Sequence, residues 1–411
     1  MIQKLKSNYI TWEEEKIGQI CQLINGRAFK PTEWSSSGLK IVRIQNLNNE
    51  TKPFNYYDQP IDAKFKINNG EVLISWSVTP GTSFGAHLWN RGEAVLNQHI
   101  FRVVLDESKC LKKFFIYAIN WRIEELICKA HGGVGLRHIT KKELENVTIP
   151  IPFKNDSKRS LDIQSRIVTR IEALLTEVND SRRLLNVMCK EANQIMDIVL
   201  EQVYDELEKP QFAVIPLGSL LSKKPQYGIS EKASENFEGT AILRMVNIKR
   251  TGKISFENLK YIQLSSNEQE KYILKKGDIL FNRTNSADLV GKSAVFESNM
   301  VAIFASYLIR LTPDQTRIKS KYLNYYINST QGRAYIQSQL TRAIGQVNVN
   351  AQKLIVMPVP LPDTQIQERI IAYFDTIQTE VEEILRFLEQ DAKLLDMLEQ
   401  SILERAFRGE L

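Results

Sequence analysis

The sequence predicts an α+β protein in which two pseudo-symmetric globules are separated by a long antiparallel two-helix coiled coil. Three observations carry this. Residues 159–207 repeat apolar side chains in steps of four and three: Ile167, Ile171, Leu174, Val178, then Leu185, Met188, Ala192, Ile195 and Val199. That is the seam of a coiled coil, and no Pro or Gly interrupts it. Residues 364–410 return the same stripe 203 positions later, through Ile370, Phe374, Ile377, Val381, Ile384, Leu388, Leu395, Leu398 and Ile402. The segments preceding these stripes also match each other, at offsets of 201 to 210. A 49-residue helix with one apolar stripe is about 70 Å long and needs a partner, which the same chain supplies. Ser181 stands where the second stripe has Ile384, and Asp391 where the first has Met188. Asp391 is either a polar group that fixes register or a residue just off the seam.

The first globule opens with an apolar strand over 17–24, closed by the turn pair Asn25-Gly26. Residues 39–47 read as a strand that includes Arg43 and Asn46. Asn68-Asn69-Gly70 is a turn that launches 71–76, and 94–105 is a further strand region. Residues 112–128 read as a helix with Phe115, Ile116, Ile119 and Ile123 on one face. A glycine-rich loop, His131 to Arg137, follows, and the block ends at Ile149-Pro150-Ile151-Pro152. The second globule repeats this plan. A strand at 216–221 matches the opening one. Ile242 to Ile248 answers Ile41 to Leu47, and Gly277-Asp278-Ile279-Leu280-Phe281 answers Gly70-Glu71-Val72-Leu73-Ile74. The exit Met357-Pro358-Val359-Pro360 answers Ile149-Pro150-Ile151-Pro152. This is a two-fold internal duplication. Two readers that share a plan and differ in their loops suit two separated half-sites of different sequence on one duplex.

The net charge of +6 is unevenly spread. Residues 1–157 carry a net +5 and residues 210–363 a net +9, against −2 for 158–209 and −6 for 364–411. Basic globules suit phosphate backbones, and acidic helices suit a protein partner. The four cysteines have no paired spacing, which argues against a disulfide framework or a zinc site. No apolar run reaches transmembrane length and no signal peptide opens the chain, so a cytoplasmic location with no membrane association is expected.

Enzymatic motifs are incomplete. Gly291-Lys292-Ser293 has the form of a P-loop tail, but Ser286 stands where that loop needs its first glycine. None of the four histidines sits in a metal or catalytic spacing. The site expected is therefore non-catalytic, with no catalytic, cofactor or metal residue. Arg283 and Asn285, after the strand ending at Phe281, offer a guanidinium and an amide. Such groups pair bidentately with guanine and adenine in a major groove, although Asn285 also fits the cap of a surface turn. Arg342, Gln346 and Asn348 surround Gly345, where bases can approach closely. In the first globule the matching positions are Trp76, a base-stacking or a core residue, and Arg137 with His138. Lys249 and Arg250 suit phosphates, or are simply a basic hairpin tip.

Several stretches resemble the DNA specificity subunits of type I restriction–modification systems, over essentially the full length. They are Gln226-Tyr227-Gly228-Ile229-Ser230, the run from Lys276 through Arg283-Thr284-Asn285-Ser286 to Leu289-Val290-Gly291-Lys292, and Asn97-Gln98-His99. The helix starts Gln164-Ser165-Arg166-Ile167 and Gln367-Glu368-Arg369-Ile370, and the ending Leu403 to Leu411, follow the same pattern. Ser165 departs from the usual charged residue. The resemblance implies target recognition domains at 1–157 and 210–363, with spacer helices at 158–209 and 364–411. It implies a non-catalytic subunit that binds double-stranded DNA, two methyltransferase subunits and, in the full complex, two restriction–translocase subunits. It further implies adenine methylation and ATP-dependent restriction, with S-adenosylmethionine, ATP and magnesium held by those partners and none by this chain. Two rival readings are a fused methyltransferase–recognition enzyme and a DNA-binding regulator. The first lacks the roughly 200 residues a cofactor fold needs; gene neighbourhood separates the second.

Overall fold

Short apolar runs broken by Gly, Asn and Pro give short strands, and the uninterrupted stripes give two long helices. The computed structural model describes residues 10–78, 85–122, 137–230, 234–235, 239–287, 289–343 and 346–411. The chain begins with β1 (Trp12–Lys16), α1 (Ile17–Ile20), β2 (Cys21–Asn25), β3 (Leu39–Val42), α2 (Ile44–Asn48) and β4 (Asn55–Tyr57). It continues through β5 (Lys66–Ile67), β6 (Glu71–Ser75), β7 (Ser77–Val78), β8 (Gly85–Trp89), β9 (Ala94–Leu96) and β10 (Ile100–Leu105). Then come α3 (Lys112–Trp121), β11 (Arg137–His138), α4 (Lys141–Glu145), β12 (Thr148–Pro152) and the 51-residue helix α5 (Ser157–Leu207).

The second half holds β13 (Ala213–Pro216), β14 (Leu221–Tyr227), β15 (Thr240–Leu243), β16 (Lys260–Ile262) and α6 (Ser266–Tyr272). It goes on to β17 (Ile279–Asn282), β18 (Thr284–Asn285), β19 (Ser293–Val295), β20 (Ala302–Phe304) and β21 (Leu308–Pro313). The chain closes with α7 (Ser320–Asn328), α8 (Thr330–Ser338), β22 (Thr341–Ala343), β23 (Gln346–Asn348), α9 (Ala351–Ile355), β24 (Pro358–Leu361) and the 44-residue helix α10 (Thr364–Phe407).

These elements form two compact units. The first is Met1–Leu185 with Asp391–Leu411, and the second is Asn186–Gln390. Each contains an antiparallel four-stranded sheet, in the order β2-β10-β6-β8 and β14-β21-β17-β19 respectively. Each adds a mixed sheet in which one pair is parallel, β3 with β9 and β15 with β20. In each, the entry strand pairs with the Pro-x-Pro exit strand, β1 with β12 and β13 with β24.

Part of the expected strand content is helical. The expected strand at 17–24 is α1 followed by β2, and its counterpart at 216–221 contains a 3-10 turn at Leu217–Leu220. The expected strand 39–47 ends at Val42 and turns into α2. The reason is the buried Asn46, whose Oδ1 accepts the Arg43 N–H while its amide donates to the Lys52 and Pro53 carbonyls. Asn247 repeats this with Arg244, Ser255 and Glu257. A polar side chain that closes the backbone on itself competes with a strand ladder. The expected helix 112–128 is described as far as Trp121, and the glycine-rich segment His131 to Leu136 and Gly345 lie outside the described residues.

Within each unit, segments of the two long helices run antiparallel. In the first unit Arg182 donates to Asp396 (2.9 Å) and Glu399 (3.0 Å), and Leu174 and Val178 share a groove with Ile402 and Arg405. In the second, Tyr204 lies 5.9 Å from the ring of Phe374, while Met196 and Asp197 face Val381 and Leu385 across one cavity. The seam differs from the sequence reading at alternate positions. Phe374, Val381, Leu388 and Ile402 are buried as expected, but Ile384 and Leu398 are 41% and 47% exposed, and Met188 is 43% exposed. The inward positions fall one residue later, at Gln378, Leu385, Ala392 and Glu399 on α10 and at Arg182 and Cys189 on α5. Apolarity alone selects Ile384 and Leu398. At two of the shifted positions of α10 the inward residue is polar and has a partner, Gln378 with Tyr325 and the Thr251 carbonyl, Glu399 with Arg182; at the other two it is Leu385 and Ala392. Ser181 and Asp391 are both exposed, and the Ser181 hydroxyl donates to the Glu177 carbonyl of its own helix.

Candidate nucleic-acid interface

The candidate base-contacting residues of the second unit lie where the chain leaves its central sheet. Strand β17 is buried throughout, because Ile279, Leu280 and Phe281 fill cores on both of its faces. At Asn282 it meets Gly291: the Gly291 N–H donates to the Asn282 carbonyl (2.8 Å) and the Asn282 N–H to the Lys292 carbonyl (2.8 Å). These two bonds join β17 to the chain that returns at Gly291. Gly291 has φ +81°, and a Cβ there would come within 2.8 Å of Ile336. Glycine is thus required for the turn and for close packing.

This also settles the P-loop-like motif. Lys292 Nζ donates to the Ile248 carbonyl (2.9 Å), and Ser293 Oγ bonds Asn324 (2.8 Å). A strand follows instead of a helix. The residues do not fit a phosphate cradle, which needs a helix N-terminus and a free lysine.

Beyond Asn282, β18 departs from the core and joins β23 and β22 in a separate three-stranded sheet. Thr284 pairs with Asn348, Asn285 with Val347, Arg342 with Val347, and Ala343 with Gln346. Arg283, Asn285, Arg342, Gln346 and Asn348 are therefore brought together by one small sheet and its entry residue. Asn285 is in a strand, not the loop expected from sequence. Its Oδ1 accepts the Ser286 N–H (2.9 Å), and its amide lies 3.8 Å from Met245 Sδ. The first unit repeats the arrangement with two strands: β7 pairs with β11, Arg137 opposite Val78 and His138 opposite Ser77. Trp76, just before β7, is partly buried and stacks on Phe101 at 5.5 Å, which favours its packing role.

Lys249 and Arg250 are not in that sheet. They form an exposed hairpin tip, held by the Lys249 N–H to the Lys253 carbonyl (2.9 Å). The tip lies against α7 and α10 through Asn324 to the Gly252 carbonyl, Gln378 to the Thr251 carbonyl, and the Lys253–Glu382 ion pair. Beside it lie Lys292 and Arg333. Burial pushes the Lys292 ammonium below its ordinary pKa, and Arg333, Arg250 and Lys249 push it in the same direction. These four cations share one local positive field. Sequence reasoning missed Lys292 and Arg333 as members, since nothing in their spacing places them beside Lys249. Among the described residues no group of three or more His, Cys, Asp or Glu is placed to hold a metal ion. No helix among them is long and apolar enough to cross a membrane.

A family model described as the type I restriction modification DNA specificity domain matches residues 9–180 and again 211–389. The chain belongs to this family. Its two matches fall on the two duplicated halves. Membership makes it a DNA-specificity protein of a type I restriction–modification system, a recognition component and not a catalytic one. It is 25% identical to the type I restriction enzyme StySPI specificity subunit of Salmonella potsdam, over 97% of this chain and 89% of that protein. It is 24% identical to the EcoKI specificity subunit of Escherichia coli K12, with the same coverages of 97% and 89%. Two solved structures share its fold. One is a chain from work on complex assembly and conformational transition of the type I R-M system, with TM-score 0.73, 21% identity and coverages of 97% and 98%. The other is the HsdS subunit from Thermoanaerobacter tengcongensis, with TM-score 0.53, 20% identity and 97% of each chain covered.

Proposed function

We propose that this protein reads a bipartite DNA target, one half through each unit, and directs adenine methylation and ATP-dependent restriction by partner subunits. The observation that carries the reading is the pair of small sheets, β7–β11 and β18–β23–β22, each grown from the strand that follows the central sheet of its unit. In the second, Arg283, Asn285 and Asn348 are only partly buried. In the second unit Arg283 and Asn285, with Arg342, Gln346 and Asn348, take the base-reading role. In the first, Arg137 and His138 take it. Lys249 and Arg250 take phosphates.

The recognition domains are 1–157 and 210–363, and the spacer helices 158–209 and 364–411 form one antiparallel coiled coil that sets the distance between half-sites. The opposed running of α5 and α10 inside each unit supports this. The helices also leave apolar side chains uncovered, Leu184, Leu394 and Met397 in one unit, Tyr373, Phe387 and Ile198 in the other. Exposed apolar groups on acidic helices suit docking of protein partners, here two methyltransferase and two restriction–translocase subunits. S-adenosylmethionine, ATP and magnesium belong to those partners, and the complex acts in the cytoplasm on double-stranded DNA.

The test is co-purification with a cognate methyltransferase followed by sequencing of methylated DNA. The reading expects methylated adenines in one motif with two defined halves and an undefined spacer. Methylation at a single continuous motif, or by the methyltransferase alone with the same specificity, would contradict it.

A further inference from the structure

Arg283 is anchored through its backbone and stacked through its side chain. Its N–H donates to the Tyr307 carbonyl (3.0 Å), and its carbonyl accepts the Val349 N–H (2.9 Å). Its guanidinium carbon lies 4.8 Å from the centre of the Tyr227 ring. The Nε of Arg283 is buried, and it has no hydrogen-bond partner among the described residues. A guanidinium set over an aromatic face loses less rotational freedom when it forms hydrogen bonds to a ligand.

Tyr227 is itself tied down on the far side. It ends β14, and its hydroxyl accepts the Ala351 N–H (3.0 Å) just beyond β23. One side chain thus links three segments: the end of β14, the entry to β18 through Arg283, and the chain leaving β23. Tyr227 is nonetheless 40% exposed, so burial of the ring does not account for its placement. The matching positions of the first unit hold different residues. There Asn25 precedes Gly26 as Tyr227 precedes Gly228, and the residue after β6 is Trp76. Both glycines are needed for close approach, since a Cβ would fall 2.0 Å from the Asn97 carbonyl oxygen or 2.3 Å from that of Ala305. The framework is common to the two units, but Trp76 stands in the first where the second has Arg283.

The geometry points to Tyr227 as a specificity-determining positioning residue that stacks the Arg283 guanidinium in the orientation from which it contacts DNA. The inference rests on the second unit being a DNA reader. Tyr227 need not touch a base. It acts by removing the rotational freedom Arg283 would otherwise lose on binding.

The experiment is a double-mutant cycle in the complex with the methyltransferase, titrated against a panel of single-base variants of the target. The variants are Tyr227→Ala, Tyr227→Leu, Tyr227→Phe, Arg283→Ala and the pairs. Tyr227→Ala and Tyr227→Leu are expected to reduce discrimination about 3- to 10-fold, at the position where Arg283→Ala reduces it. Each pair is expected to be no worse than Arg283→Ala alone. Tyr227→Phe keeps the ring but loses the tether to the Ala351 N–H, and is expected to retain more discrimination than Tyr227→Leu. Tyr227→Leu preserves apolar bulk, so it guards against simple loss of folding, and melting temperature is followed throughout. Additive effects of Tyr227→Leu and Arg283→Ala would overturn the proposal, as would full discrimination in Tyr227→Leu. The profile of Arg283→Ala alone reports separately on the base-reading role: uniform weakening with coupling intact would remove that role and leave the positioning in place.

Discussion

The two units repeat several buried bonds of their frameworks and part company at their proposed DNA faces. Gln164 on α5 is fully buried, accepts the Leu111 N–H and donates to the Lys109 carbonyl; Gln367 on α10 does the same with Lys319 and Arg317. Asn120 clamps the edge strand at Ala86 with bonds in both directions, and Asn328 clamps Ser293 likewise. The Lys113–Glu172 ion pair recurs as Lys321–Asp375. The turns after Asn46 and Asn247 differ. In the first unit Asn49 folds the turn on itself through Thr51. In the second, Lys249, Arg250 and Lys253 make a basic tip that reaches α10. The lesson is that buried polar locks specify how each globule seats on its helices, while the exposed turns and small sheets are left to vary the ligand.

The largest effect expected concerns the helical seam. Phe374→Ala removes a fully buried ring and should destabilise the second unit by about 3–5 kcal/mol. Ile384→Ala, on the same helix but 41% exposed, should cost under about 0.5 kcal/mol in the isolated chain. Thermal or denaturant unfolding measures both. Comparable losses would restore the seam as read from apolarity alone.

The next effect tests the equivalence of the frameworks. Gln164→Ala and Gln367→Ala each remove a fully buried side chain with two bonds to partly buried backbone groups, which should cost about 1–3 kcal/mol in all. Hydrogen exchange should show each loss confined to its own unit and of similar size. A large loss from one and none from the other would break the comparison.

A smaller and more specific effect separates the two turns. Lys249→Ala and Arg250→Ala should weaken binding of all DNA sequences alike, and each should reduce the salt slope by roughly 1 if its cation neutralises one phosphate. Thr51→Ala in the first unit should leave the salt slope unchanged. A sequence-selective change from either cation would move it to the base-reading class.

The duplication, the helices and the basic globules were all legible in the sequence, whereas the pairing that brings Arg283 and Asn285 beside Asn348 was not. Periodicity and matching segments are visible without side-chain partners. The inward positions of the seam were not, because Gln378 and Glu399 look like surface residues until Tyr325 and Arg182 are placed opposite them. Neither was α2, since Asn46 stops the strand through bonds to carbonyls six and seven residues ahead. Within the candidate site Tyr227 was readable as a family signature but not as a partner of Arg283, which lies 56 positions later. Contacts at such separations leave no periodic trace. Lys292 and Arg333 join Lys249 and Arg250 for the same reason.

The most direct test of independent half-site reading is the binding of Arg283→Ala, complexed with its methyltransferase, to every single-base variant of the target. Removing a bidentate base pairing should cost about 1–3 kcal/mol of discrimination at one position in one half-site, with the other half read as before. Altered preference in both halves would contradict the account.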